Sequence, residues 1–174
     1  MKVLGISGSL RRDSHNTALL RAAAELMPDG VELELWDGLK AVPPYDEDDD
    51  VEPAPAAVAD LRDAIAGADA ILVATPEYNH SVPGQLKNAL DWASRPPATS
   101  PLRNKPVAVV GASTGAFGAV WSQAEVRKVL AATGARVVDG EVAVGHAPEK
   151  FDADGRLIDE PLRETLAEVV DALV

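Results

Sequence analysis

The sequence predicts an α/β domain in which a parallel β-sheet is covered by helices on both faces. Short apolar or β-branched runs alternate about five times with segments of helical periodicity, the pattern expected of consecutive β-α units. One run, Ala70–Thr75, is apolar almost throughout, as a central parallel strand buried on both faces requires. The length of 174 residues is typical of one domain, so a single domain over residues 1–174 is expected.

The other predicted strands differ in how much of their surface is apolar. Lys2–Ser7 is a compact apolar run that ends in glycine and serine, and Val107–Ala112 is a second buried strand. Val31–Trp36 alternates apolar and acidic residues, which suits a strand with one solvated face near a sheet edge. Strand-like runs follow at Arg136–Val138 and Glu141–Val144.

Five helices are predicted between and after these strands. The first, Asn16–Met27, places its apolar residues on one stripe and is ended by a Pro-Asp-Gly sequence. The others are Ala56–Ala66, Pro83–Ala93, Val120–Ala132 and Glu160–Val174.

Five strand–helix units fit a flavodoxin-like three-layer sandwich with a five-stranded parallel sheet in the order 2-1-3-4-5. The longer dinucleotide-binding fold fits less well. In open sheets of this kind, ligands bind beyond the carboxyl ends of the strands, near the switch in strand order. The loops after the first, third and fourth strands are therefore the expected ligand-binding region.

Composition excludes several classes of function. The chain has 16 basic and 28 acidic residues, a net charge of −12, so nucleic acid and anionic lipid are not expected as general partners. It has no cysteine, which excludes disulfide scaffolds, Cys-ligated metals and a Cys nucleophile. Neither a membrane span nor a signal peptide is evident, so we expect a cytoplasmic protein. The acidic segment Asp46–Asp50 lacks EF-hand spacing and is interpreted as a solvated loop, and no metal site is expected.

The loop after the first strand has the composition of an anion site. Ser9 and Ser14 supply hydroxyls, Asn16 an amide and Arg11 a cation, next to the N-terminus of a helix with free N–H groups. Several donors and one arginine match a phosphate monoester. The alternative interpretation is a Ser/Asn helix cap with exposed arginines.

Known phosphate loops of other kinds are missing here. The Gly-x-Gly-x-x-Gly and Gly-Lys-[Ser/Thr] patterns are absent, so a tightly held dinucleotide or a nucleoside triphosphate is not expected. The third predicted strand carries Asp69 at its start rather than an aspartate at its end, which argues against a phospho-receiver.

The loop after the third strand suits a planar heteroaromatic ring. Pro76 ends the strand, and Ser81 is predicted to cap the helix that follows. Between them Tyr78 offers a flat face and Asn79 both a donor and an acceptor.

Two ordered motifs give the chain a family resemblance. Gly8-Ser9-Leu10-Arg11-x-x-Ser14-x-Asn16 and Pro76-Glu77-Tyr78-Asn79-x-Ser81-x-Pro83-Gly84, with the segments that follow, closely resemble the NADPH-dependent FMN reductases. These are flavodoxin-like reductases of quinones, azo dyes, chromate and free flavins. The similarity extends to Gly111–Gly115 and so covers most of the chain.

The resemblance implies a cofactor, a reaction and a set of site residues. FMN is expected to take electrons from NADPH or NADH and pass them to a small acceptor, with no side chain acting as an obligatory catalytic group. The resemblance implies that the phosphate contacts Ser9, Arg11, Ser14 and Asn16, with His15 beside it. One edge of the ring is expected to contact Pro76, Glu77, Tyr78 and Asn79. The other edge is expected to contact Ser113, Thr114 and Gly115.

Two further questions stay open at this point. A flavodoxin-type electron carrier without nicotinamide activity is the alternative function: Arg11 argues against it, and the acidic surface is in its favour. Family members are commonly dimers or tetramers, so a homo-oligomer is expected. Trp92 is either an interface anchor or a residue packed under the loop that follows it.

Overall fold

Parallel strands in the predicted order form the central sheet of the computed structural model, which describes residues 1–174. The order is β2-β1-β3-β4-β5, with a further short strand, β6, also paired with β4. The strand bounds are β1 Lys2–Ser7, β2 Glu32–Trp36, β3 Ala70–Thr75, β4 Pro106–Ala112, β5 Arg136–Val137 and β6 Ala143–Val144. The predicted flavodoxin-like fold is confirmed.

Five α-helices cover the two faces of this sheet. Two of them, α1 and α5, pack on one face, and the other three pack on the opposite face. Short 3₁₀ turns lie in the connections after β2 and β6. The helix bounds are α1 His15–Glu25, α2 Ala56–Ala66, α3 Gly84–Ala93, α4 Val120–Ala132 and α5 Glu160–Leu173.

The central strand β3 explains why the sheet needs both helical layers. Its side chains alternate between the faces: Leu72 and Ala74 enter the core formed with α1 and α5, while Ile71 and Val73 enter the core formed with α2, α3 and α4. Every residue of β3 is buried, as its apolar sequence predicts. β2 lies at the edge of the sheet, as predicted, but none of its five residues is buried, so its apolar face is also partly solvated.

The fifth position of the sheet is shared by two short strands. The segment between them leaves the sheet, so the carbonyl of Val109 in β4 loses its strand partner. Arg127 of α4 replaces that partner: its guanidinium donates to Val109 O at 2.9 Å and to Gly140 O at 2.5 Å. The buried amide of Gln123 donates to Val142 O at 3.1 Å. These two side chains stabilise the interrupted edge.

Trp92 packs inside its own chain, so its interpretation as an interface anchor is wrong. Its side chain has no exposed surface, and its indole donates to Pro43 O at 2.8 Å. The ring lies edge-on to Tyr45 at 4.9 Å between centroids. Asn88, on the same helical face, accepts from Tyr45 N at 2.7 Å and donates to Pro43 O at 2.8 Å. The connection between β2 and α2 covers this face.

The helices, the potential metal ligands and the acidic segment bear on membrane and metal binding. None of the helices has the length and hydropathy that crossing a bilayer demands. No group of three or more potential ligands is arranged to hold a metal ion. In the acidic segment, Asp50 pairs with Arg62 at 2.9 Å, and the bond ties the segment to α2.

Candidate active site

A cleft of about 280 Å³ opens where β1, β3 and β4 end. Ten of the twelve predicted site residues line it, and only Asn79 and Gly115 lie outside its lining. The parallel sheet brings the three loops together because their strands end at the same edge. The lining residues are Ser9, Arg11, Ser14, His15, Asn16, Pro76, Glu77, Tyr78, Ala112, Ser113 and Thr114.

The first loop presents main-chain donors that the protein itself does not use. It enters the site through Gly8, where a side chain would collide with Leu86 at 2.9 Å and crowd Pro76 at 3.2 Å. Beyond Gly8, five N–H groups donate no hydrogen bond within the chain. They belong to Leu10, Arg12, Asp13, Ser14 and His15. Free N–H groups at a helix N-terminus bind anions.

Two predicted phosphate residues also have structural partners. Ser14 is the N-cap of α1, and its hydroxyl oxygen accepts from Asn16 N at 3.1 Å and Thr17 N at 3.4 Å. The buried amide of Asn16 spans to the end of β4: it donates to Ala112 O at 3.0 Å and accepts from Ala112 N at 2.9 Å. Asn16 thereby joins the first loop to the loop after β4. The hydroxyl proton of Ser14 and the second amide proton of Asn16 stay available.

Arg11 and Ser9 add two further side-chain donors to the loop. Arg11 is exposed, and its guanidinium donates to Asp13 O at 2.5 Å, with no carboxylate within ion-pair distance. Ser9 accepts a long hydrogen bond of 3.4 Å from Arg11 N. A cation without a carboxylate partner is the local attraction that an anion needs on a protein of net charge −12.

His15 is the first residue of α1 and lines the same cleft. Its ring stacks on Phe151 with 5.6 Å between centroids, which fixes its orientation. Partial burial and, secondarily, the charge of Arg11 lower the pKa of His15 from its ordinary value of 6.5. At neutral pH the ring is therefore mostly uncharged.

The loop after β3 is a tight hairpin rather than a helix cap. Tyr78 and Ser81 exchange main-chain hydrogen bonds of 3.3 Å and 3.1 Å. The two residues between them, Asn79 and His80, have φ of 53° and 60°, the left-handed pair of a type I′ turn. The predicted capping role of Ser81 is wrong, since α3 begins after Pro83 without a side-chain cap. The turn selects asparagine at position 79 for conformational reasons.

Glu77 connects this hairpin to α4. Its carboxylate accepts from Ser122 N at 2.9 Å, in the first turn of α4, where a negative charge is stabilising. The hydroxyls of Thr75 and Ser122, both buried, lie 2.7 Å apart and add a second link. The Tyr78 ring, by contrast, is 52% exposed.

The loop after β4 is held by β6. Ser113 N donates to Val144 O at 2.9 Å, and the Ser113 hydroxyl accepts from Gly115 N at 3.1 Å. Gly118 has φ of 58° and lies against the main chain of Ala143, where no side chain fits. Thr114 is exposed on the cleft, and its N–H is free.

Three aromatic rings beside the cleft form a surface that sequence reasoning missed. His80 lies edge-on to Trp121 at 4.7 Å between centroids, and Trp121 lies edge-on to Phe117 at 5.1 Å. Trp121 is 41% exposed and Phe117 is 64% exposed. The four-residue spacing of Phe117 and Trp121 was the available signal. We call His80, Phe117 and Trp121 the aromatic shelf.

Comparison with known proteins gives a consistent result. The family model described as NADPH-dependent FMN reductase matches residues 1–149. An NAD(P)H-dependent FMN reductase of Pseudomonas aeruginosa is 46% identical, over 99% of this chain and 93% of the relative. A 2-hydroxy-1,4-benzoquinone reductase of a Burkholderia species is 38% identical, over 98% and 93%. The solved structure of a flavoenzyme NAD(P)H:(acceptor) oxidoreductase from Paracoccus denitrificans has a TM-score of 0.85 at 35% identity, over 99% of this chain and 96% of that one.

These comparisons confirm the resemblance found in the motifs. They also confirm the predicted class of activity, a nicotinamide-dependent flavin oxidoreductase with FMN and NAD(P)H as cofactors. The fold, the cleft at the carboxyl ends of the strands and the full-length match agree. The chain belongs to the NADPH-dependent FMN reductase family.

Proposed function

We propose that the cleft binds FMN, with its phosphate in the first loop and its ring between the loops after β3 and β4, and that the enzyme reduces quinones with NAD(P)H. The observation that carries this proposal is the set of five unused main-chain donors beside an arginine without a carboxylate partner. A phosphate monoester offers three acceptor oxygens and up to two negative charges, so it matches this set.

The donors divide into two groups along the proposed cofactor. Ser9, Arg11 and the free N–H groups after Leu10 would hold the phosphate, and Ser14 and Asn16 would add their remaining protons. At the other end, the free N–H of Thr114 and the exposed face of Tyr78 would contact the ring. Asn79 and Gly115 follow the lining residues Tyr78 and Thr114 in the chain and are proposed as ring neighbours, Asn79 through its free main-chain N–H and Gly115 through van der Waals contact.

When bound, FMN supplies the redox chemistry: it accepts a hydride from the nicotinamide and delivers the electrons to the acceptor. The chain itself positions the ring and leaves one face open. The Glu77 side chain is bonded to the start of α4 and the main chain of Ser81 to that of Tyr78, and these bonds fix the loop geometry. This chemistry needs no nucleophile or obligatory acid from the chain.

Replacement of Arg11 by alanine tests the phosphate site. FMN binding to the Arg11→Ala protein is expected to weaken by about 1.5–3 kcal/mol, the scale of a charge-assisted hydrogen bond, as measured by flavin fluorescence titration. Arg136→Ala removes the same charge at an exposed position at the start of β5, the end of the sheet opposite the cleft, and is the control. Equal affinities in wild type and Arg11→Ala would exclude Arg11 from the site.

Quinone as the acceptor is proposed from the family's relatives, one of which is named a 2-hydroxy-1,4-benzoquinone reductase. Purified protein with FMN, NADPH and a quinone is expected to consume NADPH, followed at its absorption band. A reduced flavin that forms only with a protein donor, and never with NADPH, would favour the electron-carrier alternative.

We also propose a homo-oligomer in the cytoplasm, as the family resemblance implies. The groove between α3 and α4 is lined by charged and small residues, among them Lys87, Asp91, Ala131 and Ala132. Residues of these types suit helix contacts between two copies of the chain. Sedimentation at micromolar concentration tests the state: a monomer would contradict the proposal. Trp92 has no part in it, because its side chain is fully buried within the chain.

A further inference from the structure

We propose that the aromatic shelf of His80, Phe117 and Trp121 binds the ring of the electron acceptor, an uncharged planar quinone, as it approaches the flavin. The inference rests on the proposed FMN site and adds to it a set of specificity-determining residues. The chain has three Trp and two Phe, and the shelf contains the most exposed residue of each type, Trp121 and Phe117.

The shelf is continuous with the cleft. Glu77, which lines the cleft, lies 3.7 Å from the His80 ring nitrogen and accepts from Ser122, the neighbour of Trp121 in the chain. Tyr78 lines the cleft at the start of the hairpin that carries His80. A ligand on the shelf is therefore next to the residues that would contact the flavin ring.

The shelf is also held rigidly although it is exposed. His80 is placed by the type I′ turn, and Trp121 by the Glu77–Ser122 and Thr75–Ser122 bonds at the start of α4. Phe117 precedes Gly118, whose left-handed conformation packs the loop against β6. Edge-to-face contacts then order the three rings. Ordered aromatic rings bind a planar ligand with little loss of conformational entropy.

Charge selects the acceptor rather than the nicotinamide as the occupant. The two cation–π contacts of the chain, Arg62 with Trp92 and Arg95 with Tyr45, both lie away from the shelf. The carboxylate of Glu77 lies 3.7 Å from the His80 ring nitrogen, so a negative charge adjoins the shelf. An NADPH molecule carries several phosphate charges and would gain nothing here, whereas an uncharged quinone loses only apolar contact with water.

Kinetics with two acceptors test the proposal in the FMN-loaded enzyme. For Trp121→Ala, kcat/KM with a naphthoquinone is expected to fall about tenfold, and for Phe117→Ala about threefold, as removal of aromatic contacts predicts. With hexacyanoferrate(III), which has no ring to stack, kcat/KM is expected to stay at the wild-type value. Trp121→Phe keeps a ring and is expected to stay within about twofold of wild type for both acceptors. Ile158→Ala removes exposed apolar surface elsewhere and is the matched control.

A binding measurement separates contact from turnover. The oxidised holoenzyme is titrated with the naphthoquinone in a calorimeter, without NADPH. The affinity for the naphthoquinone is expected to fall most in Trp121→Ala and less in Phe117→Ala, the same order as in the kinetics. In these variants the FMN content and the rate of flavin reduction by NADPH are expected to equal those of wild type. If instead the proposed FMN site is wrong, the wild-type protein itself will not bind FMN in the cleft, so the two proposals fail separately.

Three results would overturn the inference. One is an equal loss with both acceptors, and another is an equal loss in Ile158→Ala. The third is a smaller sedimenting mass for Trp121→Ala or Phe117→Ala with unchanged quinone kinetics, which would make the shelf a contact between copies of the chain. Should Trp121→Ala fail to fold, Phe117→Ala decides, because Phe117 is 64% exposed.

Discussion

The first loop and the two loops opposite it line the same cleft but use their polar groups in different ways. Between Leu10 and His15 five of the six main-chain N–H groups are free, whereas in the opposite loops the N–H groups of Tyr78, Ser81 and Ser113 donate to main-chain carbonyls of neighbouring turns and strands. The carboxylate of Glu77 likewise accepts a hydrogen bond from Ser122 N at the start of α4. We infer two roles from this difference: the first loop would supply affinity for an anion, and the opposite loops would supply fixed geometry.

The strongest test of this division is the residue that joins the two sides. Asn16→Ala leaves the N–H and C=O of Ala112 without their partners in a buried place, so stability is expected to fall by about 3 kcal/mol in urea unfolding. FMN affinity is expected to fall as well, because Asn16 no longer joins the first loop to the loop after β4.

Asn88→Ala is the matched control for Asn16. Asn88 also makes two side-chain bonds to the main chain, with Tyr45 and Pro43, but away from the cleft. A comparable loss of stability with unchanged FMN affinity is expected. If both variants weakened FMN binding equally, the special position of Asn16 would be refuted.

The next largest effect concerns the fixed side of the cleft. Glu77→Ala removes the charged acceptor at the start of α4, and unfolding is expected to become easier by about 2 kcal/mol. Glu77→Gln keeps an acceptor oxygen without the charge and is expected to lose about half as much. Thermal or urea denaturation measures both variants. A Gln variant as unstable as the Ala variant would mean that charge, rather than hydrogen bonding, dominates at this position.

A smaller effect is expected at Asn79, where turn formation and ring contact can be told apart. Alanine in the left-handed conformation at φ of 53° costs about 1 kcal/mol, whereas glycine adopts it freely. Asn79→Gly is therefore expected to keep both stability and FMN affinity, and Asn79→Ala to lose stability in the same denaturation assay. Weaker FMN binding by the Gly variant would show that the amide side chain itself contacts the ring.

The smallest effect is a pH dependence from His15. Because the folded protein holds the pKa of His15 below 6.5, the unfolded chain takes up the proton more readily. This contribution to stability is complete above pH 6.5 and is lost as the pH falls through the folded pKa. The free energy of unfolding of the wild type is expected to decline more steeply over that range than that of His15→Gln. Parallel pH profiles would show that His15 does not titrate differently on folding.

Much of the fold was predictable because its signals are local. The run Ala70–Thr75 indicates a central strand by composition alone, and the alternation in Val31–Trp36 indicates an edge. The division of the fifth strand was only suggested by two separate runs. Its cause, Arg127 bonding Val109 and Gly140, depends on contacts between distant parts of the chain. Local periodicity carries no information about such contacts.

The site shows the same limit. Motif order placed ten residues around one cleft, since strand ends determine where loops meet. The bond between Asn16 and Ala112 joins positions 96 apart in the chain. Trp92 was ambiguous because the segment that buries it, around Pro43, has no periodicity to predict its path. The shelf was missed because His80 and Trp121 meet only in three dimensions.

The interrupted strand beside β4 has a consequence for how copies of the chain can associate. Arg127 occupies the carbonyl of Val109, and β5 and β6 each contribute only two residues, so this side of the sheet gives an incoming strand no continuous ladder to extend. The other side ends in β2, where the acidic residues Glu32 and Glu34 are exposed and Glu34 pairs with Lys2 of β1. Both borders thus discourage edge-to-edge strand pairing, and the proposed oligomer would have to form through the helical surfaces.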